Sequence, residues 1–221
     1  MSTAAGMTQQ DEKRWPVAAA ILVLLGIVAA LPDHYRLLPY WMPFVIATAA
    51  CLPVAGVVLS TNKHRWFQLE AILLKIVAVY AILSAAVTVS ILIRDIVVGS
   101  AQASGFELMT SSVAVWCYNV LGFSILYWQT DGGGPKGRIA EKFDQPDWLF
   151  AQMTVPSKVP SDWRPTFVDY FFLAFSTATA FSTTDTVPLT ARAKLLMMLE
   201  ALVSMVTLVV IASRAINVLA T

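Results

Sequence analysis

Apolar residues in this chain come in long runs, separated by short polar stretches. The runs are Trp15–Leu31, Trp41–Ser60, a segment from Leu69 whose uncharged centre is Ile76–Ile93, Leu108–Thr130, Thr166–Phe181 and Ala191–Leu219. Several exceed 17 residues without a charge, which predicts helices that cross a bilayer. A bilayer offers no water to the backbone, so each crossing segment must satisfy its own N–H and C=O groups as a helix. Trp15 stands where an interfacial anchor would, and Pro32 ends the first run. Pro43 suits the first turn of the second run, whereas Pro53 predicts a kink. Lys75 near the start of the third can reach back to the nearer interface.

The polar stretches divide the chain. Residues 1–14 read as a disordered tail, 15–130 as a four-helix transmembrane region, 131–165 as a polar loop rich in Gly and Pro, and 166–221 as a C-terminal helical hairpin. Pro32–Tyr40, Thr61–Gln68 and Val97–Glu107 read as connections. A short surface helix is expected around Asp147–Met153. Trp15–Leu31 also has the short apolar core of a signal peptide; the acidic pair before it and the spans after it favour a retained helix.

Composition agrees. The chain is 57% hydrophobic and 13% charged, where soluble domains carry about 25% charged residues. The expected fold class is therefore an all-α, polytopic transmembrane helix bundle of about six membrane segments, with the lipid bilayer as its first partner. No basic patch interleaved with aromatics is present, which excludes nucleic-acid binding. Cys51 and Cys117 lie in different apolar runs and read as small core residues. The glycines of DGGGPKG are followed by Arg138, not by the Lys-Ser/Thr ending of a phosphate-binding loop. No nucleophile–base pair, metal-ligand cluster or cofactor fingerprint occurs, so the expectation is a non-enzyme without cofactor or metal.

Two stretches carry candidate chemistry. On the last helix Glu200, Ser204, Thr207, Ile211 and Arg214 follow helical spacing and form one polar stripe in an otherwise apolar segment. Such groups should face a bundle interior or water; alternatively, Ser204 and Thr207 are packing residues while Glu200 and Arg214 sit near the two interfaces. Before that helix, Thr177, Thr179, Ser182, Thr183, Thr184 and Asp185 make a hydroxyl-rich turn closed by Pro188. Hydroxyls can replace water around an ion. They can equally cap helix ends, with Asp185 capping a helix that starts near Val187. Asp169 is expected at an interface.

The stretch DYFFLAFSTATAFSTTDTVPLTARAKLLMMLEAL, with the later VVIASRAINVL, resembles the pore helix, filter and inner helix of the potassium-channel-like two-helix pore module. The filter-like positions are Thr179, Ala180, Phe181, Ser182, Thr183, Thr184 and Asp185, with Pro188 in register. The same stretch and LYWQTDGGGP resemble an uncharacterised bacterial family of multi-pass membrane proteins. The first resemblance implies a pore helix followed by an inner helix, self-association (a tetramer if a pore), monovalent ions as partners and ion permeation. The second implies a multi-pass protein of a bacterial inner membrane. Ser182 and Thr184 replace both filter glycines, which implies weak selectivity, since glycine is what lets successive carbonyls point inward. No span carries the regular Arg or Lys of a voltage sensor. The alternative is a non-conducting transporter, structural or sensory protein that keeps a channel-like hairpin.

Lys and Arg counts bear on topology. With Thr166–Phe181 as a full span and the N-terminus in the cytoplasm, nine basic residues fall inside and four outside, which favours six spans. With that stretch re-entrant from outside, as the channel resemblance implies, eleven fall outside and three inside.

Overall fold

The computed structural model describes residues 13–59, 63–98, 105–139, 145–160, 163–180 and 185–219. Among the described residues the chain is all-α apart from one two-residue strand pair. The helices are α1 (Trp15–Ala30), α2 (Met42–Leu59), α3 (Lys63–Val98), α4 (Gly105–Thr130), α5 (Gly134–Ile139), α6 (Ala151–Thr154), α7 (Phe167–Ala180) and α8 (Ala191–Leu219). Strand β1 (Trp148–Leu149) pairs antiparallel with β2 (Val187–Pro188). Segments around α3, α4 and α8 are long and apolar enough to cross a membrane; α1, α2 and α7 are shorter apolar helices.

α4 is the central element, packed against α1, α3, α7 and α8. Each neighbour presents a side at helical spacing. On α1 that side is Val17, Ala20, Ile21, Leu24, Leu25 and Val28. The opposite side of α1 leaves Leu22 and Val23 exposed, the pattern of a helix with lipid on one face. α3 approaches α4 closely at Gly122, where an added Cβ would stand 2.9 Å from Cβ of Ala81. Small residues let membrane helices approach in this way.

Chain direction follows from contacts at the helix ends. Arg14, before α1, lies 3.4 Å from Glu70 of α3 and 5.1 Å over the ring of Trp128 near the end of α4. At the opposite end, Tyr35 after α1 donates its hydroxyl to Asp95 near the end of α3 (3.3 Å). Thr88 of α3 donates to the carbonyl of Tyr35 (2.9 Å). Thus the end of α4 shares one pole of the bundle with the starts of α1 and α3.

α7 and α8 both begin at that pole and run antiparallel to α4. Along α7, Phe167 meets Trp128 and Phe175 meets Trp116. Along α8, Glu200 meets Tyr127 and Ser204 meets Asn119. Two consecutive helices therefore point the same way.

Several boundaries differ from the sequence reading. Lys63–Gln68 continues α3 instead of forming a loop. Trp66 lies so close to Gly56 that a Cβ there would come within 2.3 Å of the indole, which fixes a tight α2–α3 connection. The DGGG turn is a chain reversal: Gly132, Gly133 and Gly134 all have positive φ, a conformation open mainly to glycine. Asp185 does not cap a helix near Val187, because Val187–Pro188 is held as β2 against Trp148–Leu149. α8 starts later, with Thr190 as its cap: the Thr190 hydroxyl accepts from the Ala193 amide (3.1 Å).

Candidate functional site

Two polar constructions lie on the faces that α4 turns to α7 and α8. The first is a clasp at the pole where α7 and α8 begin. Asp131, fully buried after the last turn of α4, receives the amide of Asp147 on Oδ1 (2.6 Å) and the hydroxyl of Tyr170 on Oδ2 (2.5 Å). Asp147 in turn receives the Thr190 hydroxyl (2.6 Å) and the Arg192 guanidinium. Arg192 also donates to the Thr130 carbonyl (3.0 Å). Arg138 returns from α5 to donate to the carbonyls of Trp128 (2.8 Å) and Asp131 (3.1 Å), with its guanidinium over the rings of Trp128 and Tyr170.

The clasp is possible because the glycine turn folds α5 back under α4. At Gly137 an added Cβ would fall 2.1 Å from the Gly132 carbonyl oxygen, so only glycine permits that closure. Tyr170 is presented by the first turn of α7, which starts on the Asp169 half of a capping box. Thr166 is the cap, and Asp169 accepts from the Thr166 amide (2.7 Å) and hydroxyl (2.8 Å). Asp169 thus has a local helix-starting role.

The second construction is a seam between α4 and α8. Glu200, Ser204 and Thr207 are all fully buried. Tyr127 donates to Oε2 of Glu200 (2.5 Å), and the Asn119 amide donates to the Ser204 hydroxyl (3.1 Å). Thr207 returns its hydroxyl to the Val203 carbonyl (2.7 Å). Oε1 of Glu200 and Oδ1 of Asn119 are buried without a hydrogen-bond partner. Trp148 closes the seam toward the clasp, tilted against Tyr127 at 4.8 Å and donating toward the Met197 sulfur.

The sequence-predicted residues separate. The stripe members Glu200, Ser204 and Thr207 come together on the inward face of α8, and Arg214 lies in the C-terminal part of that helix. Of the filter-like set, Thr179 and Ala180 end α7 on its exposed side, with the Thr179 hydroxyl on the Phe175 carbonyl (2.7 Å). Asp185 is exposed just before β2. Phe181, Ser182, Thr183 and Thr184 lie outside the described residues.

Sequence reasoning did not single out Asn119, Asp131, Asp147 or Arg192. Tyr127 and Trp128, near the end of the fourth apolar run, are both fully buried, Trp128 between two guanidinium groups. The available signal was Asn119 and Tyr127 themselves: two groups able to hydrogen-bond inside an apolar run, two turns apart on one helix face. Compared with protein-family models, curated proteins and solved structures, the chain matches none.

Proposed function

We propose that the chain is an ion-channel-like integral membrane protein. In this reading α1, α2, α3, α4 and α8 cross the bilayer, while α7 enters and the chain returns to the same face. The observation that carries the reading is the common origin of α7 and α8 on the Asp131–Asp147 clasp. α7 has 14 residues, or about 21 Å of helix, against roughly 30 Å of hydrocarbon. A half-length helix, a return and a full-length helix starting beside it are the parts of a pore unit. Copies would associate around one axis and pass monovalent ions with weak selectivity.

The clasp also argues for an orientation. Among the described residues its pole collects Lys13, Arg14, Lys63, Arg65, Lys136, Arg138, Lys158, Arg164, Arg192 and Lys194, and the other pole Arg36, Arg94 and Arg214. By the positive-inside trend the clasp faces the cytoplasm, so the half-helix enters from the cytoplasmic side. This arrangement takes the place of the six-span count, and it removes the conflict between a re-entrant segment and the charge bias.

The experiment is reconstitution of the purified protein into liposomes with K+ or Na+ gradients. Cation flux above protein-free liposomes, reduced by substitutions at Thr183 and Thr184, is the expected result. Absence of flux together with a monomer in nanodiscs would overturn it. A second reading has its own support. The polar stripe of α8 is turned to α4, and the opposite face is apolar, with Leu195, Met198, Leu202 and Val209 exposed. That arrangement favours a non-conducting transporter or sensor whose working groups lie inside one protomer.

A further inference from the structure

We infer that Glu200 is a proton-binding site within the membrane, and that its proton holds α8 against α4. Glu200 is the tenth residue of α8, about 14 Å along the axis from the helix start. Its side chain is completely buried. One carboxyl oxygen accepts the Tyr127 hydroxyl, and the other has no partner. Charged groups on the surrounding elements are engaged or directed elsewhere. Glu70 of α3 lies beside Arg14, and Lys75 of α3 is exposed. Asp169 of α7 binds Thr166, Arg192 binds Asp147, and Lys194 of α8 is exposed. Among the described residues Tyr127 is the one titratable group bonded to Glu200.

A carboxylate in such a place carries a full charge with one phenolic donor, which a low-dielectric seam does not tolerate. The unpartnered atoms of the seam, Oε1 of Glu200 and Oδ1 of Asn119, are both acceptors. For Glu200 what is lacking is a positive charge, and a proton on the carboxyl supplies it. The exchange is simple: the carboxylic acid releases a proton to water and becomes a carboxylate, or the reverse. When the proton leaves, the charge demands solvation, and α8 must part from α4 to admit water. The site thus ties the packing of α8 to proton availability. The inference requires only that α8 lies in a bilayer, and it stands apart from ion permeation and oligomeric state.

The test is infrared difference spectroscopy of the full chain in nanodiscs, titrated with pH in choline chloride and in sodium chloride. The expected result is a protonated-carboxyl band at neutral pH that is missing in E200Q and disappears on alkalinisation, equally in both salts. Y127F removes a donor to the ionised form, so it should move the disappearance to higher pH. Should E200Q fail to fold, carbodiimide modification of the wild-type chain mapped by mass spectrometry reads the same proton, since the reagent attacks the acid form in apolar surroundings. No Glu200-dependent band and no modification at neutral pH would overturn the proposal. Sodium that removes the band at constant pH would overturn it as well, and would make the seam a sodium-ion site.

Discussion

At the scale of single residues, the groups that matter sit in hydrogen-bonded pairs that join distant parts of the sequence. Asn119 and Ser204 make one such pair across α4 and α8. A double-mutant cycle of Asn119→Ala and Ser204→Ala, read by thermal unfolding in detergent, should give a coupling of about 0.6 kcal/mol, the average for interhelical hydrogen bonds in membranes. The Asp169 carboxylate at the start of α7 should be worth about 1 kcal/mol, so Asp169→Ala lowers stability by that amount while Thr166→Ala, which keeps the amide bond, lowers it less. The stripe on α8 was legible because its spacing is intrinsic to one helix. Its partners were not, since nothing in the spacing of Glu200 specifies that Tyr127 will face it. The capping box was legible as Thr-Phe-Val-Asp but was hidden by the channel-like look of the residues after it. Thr190 displaced Asp185 as the cap for a reason no local rule contains, the pairing of β2 with a strand some forty residues earlier.

At the scale of elements, the apolar runs gave every long helix, because hydrophobic length alone decides them. The errors gathered where helices end. α3 extends back to Lys63 because Trp66 can seat against Gly56, a fit between two helices that charge and loop composition conceal. The glycine turn shows the same limit: DGGG read as a loop, and it is the reversal that brings Arg138 under Trp128. Gly122 tests the packing directly. Gly122→Leu should destabilise by about 1–3 kcal/mol through overpacking against Ala81, whereas Gly26→Leu, at a position open around its Cβ, should change stability little. Thermal unfolding of both variants in the same detergent checks the contrast.

At the scale of the whole molecule, direction was what the sequence could not resolve. Length and hydropathy do not say whether α7 crosses or returns; the hydrogen bonds of Asp131 and Asp147 support a return. The expected topology places the N-terminus and the 131–165 segment on one side of the membrane and the C-terminus on the other. Cysteines introduced at Lys136 and Lys158 should react with an impermeant thiol reagent from the cytoplasmic side, and one at Arg36 from the opposite side. Labelling of Lys136 and Arg36 positions from the same side would refute the five-crossing arrangement. Asp147→Ala should release the clasp, loosening the start of α8 and exposing Trp148, which closes the α4–α8 seam; a rise in fluorescence quenching by an aqueous quencher would detect it.

Arg14 has a consequence for how the protein is made. Its guanidinium is buried beside Glu70 and over Trp128, so the start of α1 has part of its seat on a residue synthesised more than a hundred positions later. α1 can pack on α2 and reach Glu70 early, but the seat of Arg14 is complete only when the end of α4 has been translated. Assembly is therefore not a matter of adding finished helices in sequence order. The start of α1 is finished only after the middle of the chain arrives, and a ribosome stalled before Trp128 would leave Arg14 without that ring.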